Sequence, residues 1–330
     1  MKNTLILSSS PHIKSPETIP TIMFQVCLAL LPAIFVGIYS FGARAAWIIL
    51  LAIVSAVAFE AAAQKVMGRP ISINDGSACV TGILLALNLP PTVPWWLVII
   101  GSFFAIIIGK QIYGGLGHNP FNPALVGRVV LLISFPAQMT LWAFPSHPLF
   151  AHVTDTLSGA TPLGWIKTHL MTHATLPTTL PFNMLQAFIG QTGGCIGEIS
   201  ALALLIGAAF LLWKKIIPWI IPVSFIATVF FITGTFWIIN PEHYLNPVFH
   251  VLSGGLLLGA FFMATDMVTN PVTKVGMLIF GIGCGLLTSV IRLFGGYPEG
   301  VSFAILLMNA TTPLLDRWTR PRVFGEVPHK

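Results

Sequence analysis

The sequence predicts an all-α polytopic membrane protein, and three observations support this prediction. Of the 330 residues, 55% are hydrophobic and only 8% are charged, whereas a soluble domain carries about 25% charged residues. The mean hydropathy is +0.87, and the apolar residues are gathered into about ten transmembrane segments. The formal charge of +6 is spread singly between apolar runs. Binding of nucleic acid needs a basic patch on one face, so nucleic acid is not an expected partner. Membrane lipid is an expected partner.

The ten apolar segments are expected to be full or partial membrane helices. They run near 22–41, 45–63, 77–89, 95–109, 122–135, 199–213, 216–239, 250–265, 274–294 and 300–315. A full span needs about 20 residues, and the first, second, seventh and ninth segments reach that length. The others are short or marginal. Short segments bounded by Gly or Pro predict half-helices around a central site.

The chain divides into two similar halves. Corresponding segments begin 171 to 179 residues apart. Because each half holds five segments, an odd number, the halves are predicted to be two inverted five-helix repeats. The predicted organisation is a tail at 1–21, a first repeat at 22–135, a loop at 136–190, a second repeat at 191–316 and a tail at 317–330.

The basic residues predict the orientation in the membrane. If the N-terminus is cytoplasmic, twelve of the sixteen Lys and Arg residues fall on the cytoplasmic side. The far side receives Arg44, Lys167 and Arg292, and Arg128 lies within a segment. Basic residues are enriched in cytoplasmic loops. Both termini are therefore predicted to be cytoplasmic and the 136–190 loop periplasmic, as in a multi-pass protein of the bacterial inner membrane.

The loop carries one motif that suits chemistry on a hydroxyl group. It runs from Asp155 through Ser158, Gly159 and Ala160 to Thr161. Gly159 and Ala160 leave the backbone open to close approach, and Thr161 supplies an oxygen. Long loops inside a compact fold are usually functional, although an ordinary Ser/Gly turn would explain the same residues.

This motif resembles the flavinylation motif, in which a flavin transferase attaches FMN to the final Thr through a phosphoester. In its ten-segment setting the chain resembles the D subunits of the Rnf/Rsx electron transport complexes and, more distantly, the B subunits of the sodium-translocating NADH:quinone reductases. The short N-terminal tail favours the first of these. The likeness covers nearly the whole chain and includes Asn74-Asp75-Gly76-Ser77, Leu89-Pro90-Pro91, the run from Gly117 to Ala124, Ala264-Thr265-Asp266, Thr269-Asn270-Pro271 and the run from Thr319 to Gly325.

The resemblance implies covalent FMN at Thr161, with Asp155 serving recognition by the transferase. It also implies a flavoprotein subunit that relays electrons coupled to ion transport and has no stand-alone activity. The partners would be the other subunits of the complex and, during maturation, the flavin transferase. Such a complex couples ferredoxin and NAD chemistry to ion movement or, in the Rsx form, reduces a redox sensor. The sequence holds no GxGxxG fingerprint after a strand and no P-loop, so NADH and ATP would bind elsewhere.

Polar residues at the starts of two short segments are candidates for a second site. Asn74, Asp75 and Ser77 open the third segment, and Asn119 and Asn122 open the fifth. These residue types are typical of helix N-caps. Half-helix ends can also bind an ion or the polar edge of a ring, and the relatives imply a second, non-covalent flavin such as riboflavin. Both interpretations stay open.

Ionisable residues within the apolar segments are further candidates, because charge is costly at membrane depth. Arg128 is assigned to the membrane flavin or ion site and could pair with a carboxylate or a flavin phosphate. Glu60 lies close enough to a segment end to reach water. Asp266 is typical of a helix-end carboxylate near the cytoplasm.

The sequence predicts no metal site. The four cysteines are far apart, form no CxxC pair and are expected to be buried apolar residues. Four histidines crowd the loop without a Cys or carboxylate at ligand spacing, namely His147, His152, His169 and His173.

Two other functions compete with the flavoprotein. Inverted repeats with opposed half-helices also suit a channel or transporter for a small solute or ion, but a channel has no need of a flavin attachment motif. A structural scaffold for other subunits would leave the polar half-helix ends unexplained.

Overall fold

The computed structural model describes residues 17–143, 158–159, 161–173, 184–190, 193–297 and 299–321. In the first half, the helices are α1 (Ile19–Phe41), α2 (Ala43–Val66), α3 (Ser77–Leu87), α4 (Trp95–Phe103) and α5 (Pro123–Ser134). Helix α4 continues directly as a π-helix, Phe104–Gln111. A single 3₁₀ turn, Ile73–Asp75, precedes α3.

The second half also combines long and short helices. It contains α9 (Ala201–Trp213), α10 (Ile220–Ile239), α11 (Pro247–Leu252), α12 (Leu256–Leu258) with a π-helical continuation Gly259–Met263, α13 (Lys274–Phe294) and α14 (Val301–Trp318). Helices α1, α2, α10 and α13 are long and apolar enough to cross a membrane. The polytopic all-α prediction is confirmed at this level, while ten spans and the inverted relation of the halves stay predictions.

The segment expected near 250–265 is broken in two. Helix α11 ends at Leu252, and Gly254 and Gly255 both take the left-handed conformation, with φ of 70° and 67°. Residues with a Cβ rarely adopt that conformation. A Cβ at Gly255 would also collide with the Glu198 carboxylate. The two glycines therefore fix the break and let the backbone approach an acidic side chain.

The 136–190 stretch contains helices that hydropathy did not indicate. They are α6 (Pro136–Met139), α7 (Pro162–His173) and α8 (Met184–Ile189). A two-residue antiparallel pair, β1 (Trp142–Ala143) with β2 (Ser158–Gly159), joins the start of the stretch to its motif. Helix α7 mixes polar residues such as Lys167 with apolar ones, so it contains no continuous apolar run.

Small residues allow the long helices to pack closely. On α13, the Cα atoms of Gly281 and Gly285 face Ser224 and Thr228 of α10, where an added Cβ would clash. On α9, Gly207 lies against the Ala29 carbonyl of α1. Stripes of small residues are the usual means by which helices pack in membranes.

The two halves meet where their short helices end. The Asn88 amide, just after α3, donates to the Met263 sulfur at 3.6 Å. The Asn122 amide, just before α5, donates to the Met263 carbonyl at 3.3 Å. Since Met263 ends the π-helix that follows α12, polar ends of broken helices from both halves lie together in the interior.

We call the end of the molecule that carries Thr161 the loop end. The three basic residues that the sequence assigns to the far side of the membrane all lie at this end. Arg44 donates to the Thr92 carbonyl at 2.7 Å, and the Thr92 hydroxyl donates to the carbonyl of Leu141 in the 136–190 stretch at 2.6 Å. Lys167 donates to the Gly295 carbonyl, three residues beyond Arg292.

Candidate functional site

Thr161 caps the N-terminus of α7. Its hydroxyl accepts a hydrogen bond from the Gly164 N–H at 3.1 Å, and its carbonyl accepts from the Trp165 N–H at 2.8 Å. Pro162 follows at the first helical position, where a missing N–H costs nothing. The Thr161 side chain is 4% exposed. The candidate hydroxyl thus lies at the positive end of a helix dipole, where a phosphate is stabilised.

The rest of the motif is only partly described. Ser158 and Gly159 pair with β1, whereas Asp155 and Ala160 lie outside the described residues. Beside Thr161 there is a cavity of about 10 Å³, lined by Gly193, Gly194, Glu198, Glu299 and the α11–α12 break. That volume is about enough for one water molecule.

The central cluster, formed by Arg128, Glu198, Glu299 and Cys195, adjoins this small cavity, since Glu198 and Glu299 line it. The Arg128 guanidinium donates to Glu299 and to the Cys195 sulfur, and it lies 3.6 Å from Glu198. It also donates to Asn88 at 2.8 Å and to Ser302 at 2.9 Å. The cluster therefore connects α3, α5, the residues before α9 and the start of α14.

Arg128 pairs with carboxylates, which was one of its two expected kinds of partner. Nothing in the sequence singled out Glu198 or Glu299, because each lies just outside an apolar segment beside glycine. Each carboxyl group has one buried oxygen without a hydrogen-bond partner among the described residues. Cys195, Glu198 and Glu299 are close enough to share a metal ion, within 4.8 Å. Since Arg128 donates to two of them, the guanidinium already supplies the positive charge of this cluster.

A second group of buried charges, the inner network, joins Glu60, Lys110, Ser77, Asp75 and Gln111. The Lys110 ammonium donates to Glu60 at 2.6 Å and to the Ser77 hydroxyl at 2.6 Å. The Gln111 amide donates to Glu60 at 2.8 Å. The expectation that Glu60 reaches water is wrong, since Glu60 and Lys110 are each 1% exposed. Lys110 lies in the π-helix 104–111, whose wider turn gives side chains a different angular spacing from that of an α-helix.

The capping interpretation of the segment starts agrees with the geometry. The Asp75 carboxylate accepts from the Ser77 N–H at 2.8 Å and from the Ser77 hydroxyl at 2.6 Å. Asn122 caps α5 by accepting from the Leu125 N–H at 3.3 Å. Asn119 donates to the Phe121 carbonyl at 3.1 Å. Helix capping thus uses hydrogen-bonding atoms of Asp75 and Asn122.

Some of these residues also border a cavity, the inner cavity, of about 110 Å³. Phe261 and Phe262 are among its apolar walls, and its polar lining consists of Ser77, Thr81, Lys110, Asn119, Asn122, Thr265 and Asp266. The structure therefore brings three of the predicted second-site residues together. Asn74 and Arg128 are not among these three. The Asn74 side chain is exposed, and Arg128 lies in the central cluster. Asp266 accepts a hydrogen bond from the Thr269 hydroxyl at 3.5 Å. It also borders the inner cavity, so it is not merely a carboxylate at a helix end.

The cysteines differ in burial, and one loop histidine lies on a helix. Cys195 and Cys284 are buried, whereas Cys27 and Cys79 are half-buried, and all four are free thiols. His169 lies on α7 and stacks on Trp165, with ring centroids 5.1 Å apart. His147, His152 and the side chain of His173 lie outside the described residues.

Long apolar helices, broken helices that meet in the interior and buried ion clusters define a polytopic α-helical membrane protein with internal polar sites. The chain belongs to the NQR2, RnfD, RnfE family, whose model matches residues 6–325. It is 48% identical to the D subunit of the Na⁺-translocating ferredoxin:NAD⁺ oxidoreductase complex of Acetobacterium woodii, over 97% of this chain and 95% of the relative.

Two further relatives are equally similar. The D subunit of the proton-translocating ferredoxin:NAD⁺ oxidoreductase complex of Clostridium ljungdahlii is 48% identical, over 98% of this chain and 97% of the relative. The D subunit of the ion-translocating oxidoreductase complex of Stutzerimonas stutzeri is 48% identical, over 94% of this chain and 93% of the relative.

Proposed function

We propose that this chain is the electron-transferring membrane subunit of an ion-translocating ferredoxin:NAD⁺ oxidoreductase complex and carries FMN as a phosphoester on Thr161. Family membership over nearly the full length and the names of the relatives support the role in the complex. The relatives' names include both Na⁺ and proton translocation, so they favour neither ion. The proposed partners are the other subunits of that complex.

The observation that favours Thr161 as the attachment site is its position at the first turn of α7. A phosphate on its oxygen would lie at the N-terminus of α7, next to the partial positive charge of the helix dipole. Bound FMN supplies one-electron transfer, while the protein positions it and sets its potential. Because Thr161 is 4% exposed, the flavin transferase would have to act before α7 docks against the membrane helices.

The second candidate site is the inner cavity. Two occupants follow from the sequence, a non-covalent flavin such as riboflavin and an ion. The cavity volume of about 110 Å³ is well below the roughly 300–1,000 Å³ of sites that hold drug-sized ligands. Its lining by Lys110, Asp266 and five polar uncharged residues therefore favours an ion or a small polar group. A flavin there would require the surrounding helices to separate.

The proposed location is the bacterial inner membrane, with both termini in the cytoplasm and the loop end in the periplasm. The support is the bias of basic residues. The gathering of Arg44, Lys167 and Arg292 at the loop end fits the same assignment.

The decisive experiment is mass spectrometry of the peptide from His152 to Lys167, in protein co-expressed with a flavin transferase. Wild-type peptide should carry the mass of FMN on Thr161. Thr161→Ala should abolish this modification, Thr161→Ser should retain some of it, and Ser158→Ala should retain it at Thr161. An unmodified wild-type Thr161 in the presence of an active transferase would contradict the proposal and bring the channel or transporter to first place.

A further inference from the structure

Two of the four cysteines, 52 positions apart in the sequence, meet beside the inner cavity. Cys27 lies in α1, and Cys79 lies in the first turn of α3. Their thiols are within hydrogen-bonding reach of each other, and both are free. Each of the two residues is half-buried, so the pair is not sealed within the core.

The backbones of α1 and α3 approach closely at this point. A Cβ atom added to Gly76, the residue before α3, would lie 3.3 Å from the Met23 Cβ of α1. Cys27 lies one turn beyond Met23, and Cys79 lies three residues beyond Gly76. The two contacts are thus about one turn apart on each helix, so the helices run side by side in the same direction here. Disulfides span Cβ–Cβ distances of about 3.5–4.5 Å, and the approach of these two helices is of that size.

The other two cysteines have different surroundings. Cys195 and Cys284 are each 0% exposed. The Cys195 thiol donates to the Asn88 carbonyl at 3.1 Å within the central cluster, and Cys284 packs against the apolar core from α13. All four cysteines are among the described residues, and Cys27 and Cys79 are the pair whose thiols meet.

The thiol pair lies at the edge of the inner cavity. Val26, next to Cys27, and Val80, next to Cys79, both line that cavity, as does Met23. Helices α1 and α3 therefore form adjoining parts of its wall. The separation of these two helices sets how far the cavity can widen on this side.

We infer that Cys27 and Cys79 form a modification site, a thiol pair that a hydroperoxide oxidises to a disulfide and that a dithiol reduces again. With hydrogen peroxide, one thiol takes up an oxygen atom to become a sulfenic acid and releases a water molecule. The sulfur of the other thiol then bonds to the first sulfur and displaces its hydroxyl as a second water molecule. The two sulfurs together lose two electrons, and these reduce the peroxide to water.

The disulfide joins α1 to α3 and holds the inner cavity at its present volume of about 110 Å³. A flavin could enter this cavity only if the surrounding helices separated, so the oxidised pair excludes a flavin and still admits a small ion. The reduced pair leaves the helices free to separate. The inference does not depend on the attachment of FMN at Thr161.

Formation of the disulfide is tested on the full chain in membranes. The protein is treated with hydrogen peroxide, denatured, alkylated and digested without reduction, and its peptides are identified by mass spectrometry. The peptides of Cys27 and Cys79 should be linked, and dithiothreitol should return both cysteines to alkylatable thiols. Cys284→Ala, the matched control that removes a thiol elsewhere, should form the same link, whereas Cys27→Ala and Cys79→Ala should not.

The restraint on the helices is tested by hydrogen–deuterium exchange of the purified full chain. The first turn of α3 should exchange several-fold more slowly in oxidised than in reduced protein, and peroxide should leave this rate unchanged in Cys27→Ala. Cys79→Ala replaces that variant if it does not fold.

Sulfinic acid in place of the link, or links to other cysteines or between two chains, would overturn the inference. A disulfide that leaves the exchange unchanged would equally overturn it, since the pair would then not restrain the cavity wall. The proposed function is judged separately, on the mass of the Thr161 peptide.

Discussion

The inner network and the central cluster are both built from buried charges, but they connect different parts of the molecule. The inner network contains one direct ion pair, between Lys110 and Glu60, and both residues belong to the first half. The central cluster sets one guanidinium, Arg128, against two carboxylates that come from the second half. Ionic contacts thus act within the first half in the inner network, and between the two halves in the central cluster.

The two groups should also differ in how well they tolerate the loss of one charged residue. A buried ion pair is costly to break because the remaining charge has no partner, whereas removing both charges can be nearly neutral. A one-to-one pair can therefore be repaired by a single compensating substitution. A cluster of one cation and two anions cannot, since one carboxylate remains after the first is neutralised.

The largest effect is expected for Arg128→Met. It leaves Glu198 and Glu299 buried without their cation, and losing one partner of a buried pair costs about 3–5 kcal/mol. We expect a severe loss of monodisperse protein in size-exclusion chromatography and a lower thermal unfolding midpoint in detergent. Adding Glu299→Gln should recover only part of the stability, because Glu198 remains. Complete recovery with that one addition would mean that Glu198 does not depend on Arg128.

Lys110→Met should destabilise the protein by a similar amount or somewhat less, because one buried carboxylate loses its partner. Here the double variant Lys110→Met/Glu60→Gln should recover most of the wild-type unfolding midpoint. The same thermal assay measures this. If the double variant were no more stable than the single one, the pairing of these two residues would not account for their burial.

Ser77→Ala should have a smaller effect, about 1 kcal/mol, since it removes the hydroxyl between Lys110 and Asp75 but leaves the ion pair intact. Thr81→Ala is the control one turn along α3, where the hydroxyl donates only to the Ser77 carbonyl among the described residues. Denaturation of both variants should show the greater loss for Ser77→Ala. Equal losses would indicate that the Ser77 hydroxyl acts as an ordinary helix hydroxyl and not as part of the inner network.

The smallest effect on stability is expected for cysteine reporters at two exposed positions, Thr168→Cys at the loop end and Arg317→Cys at the end of α14. In intact cells an impermeant thiol reagent should label position 168 and not position 317. The parent chain, with its four cysteines, gives the background. Labelling at 317 without permeabilisation would reverse the predicted orientation and place the attachment motif in the cytoplasm.

The sequence by itself determined the class of protein and the positions of its four long apolar helices. Hydropathy follows directly from side-chain composition, and lipid requires every backbone group to be satisfied within its own segment, so length and apolarity are enough to locate helices such as α1 and α13. The capping by Asp75 and Asn122 was equally accessible, because capping depends on the next three residues.

Only the tertiary structure decided which distant side chains meet. Lys110 is buried within the π-helical segment 104–111, and neither its burial nor the π-helix was indicated by the identity of the residues. The carboxylate partners of Arg128 lie 70 and 171 positions away, and residues of α7, α11 and α13 together line a cavity of about 270 Å³. Hydropathy and local propensity describe neighbours along the chain, whereas these contacts arise from helix packing and from breaks such as Gly254-Gly255, whose consequences extend across both halves.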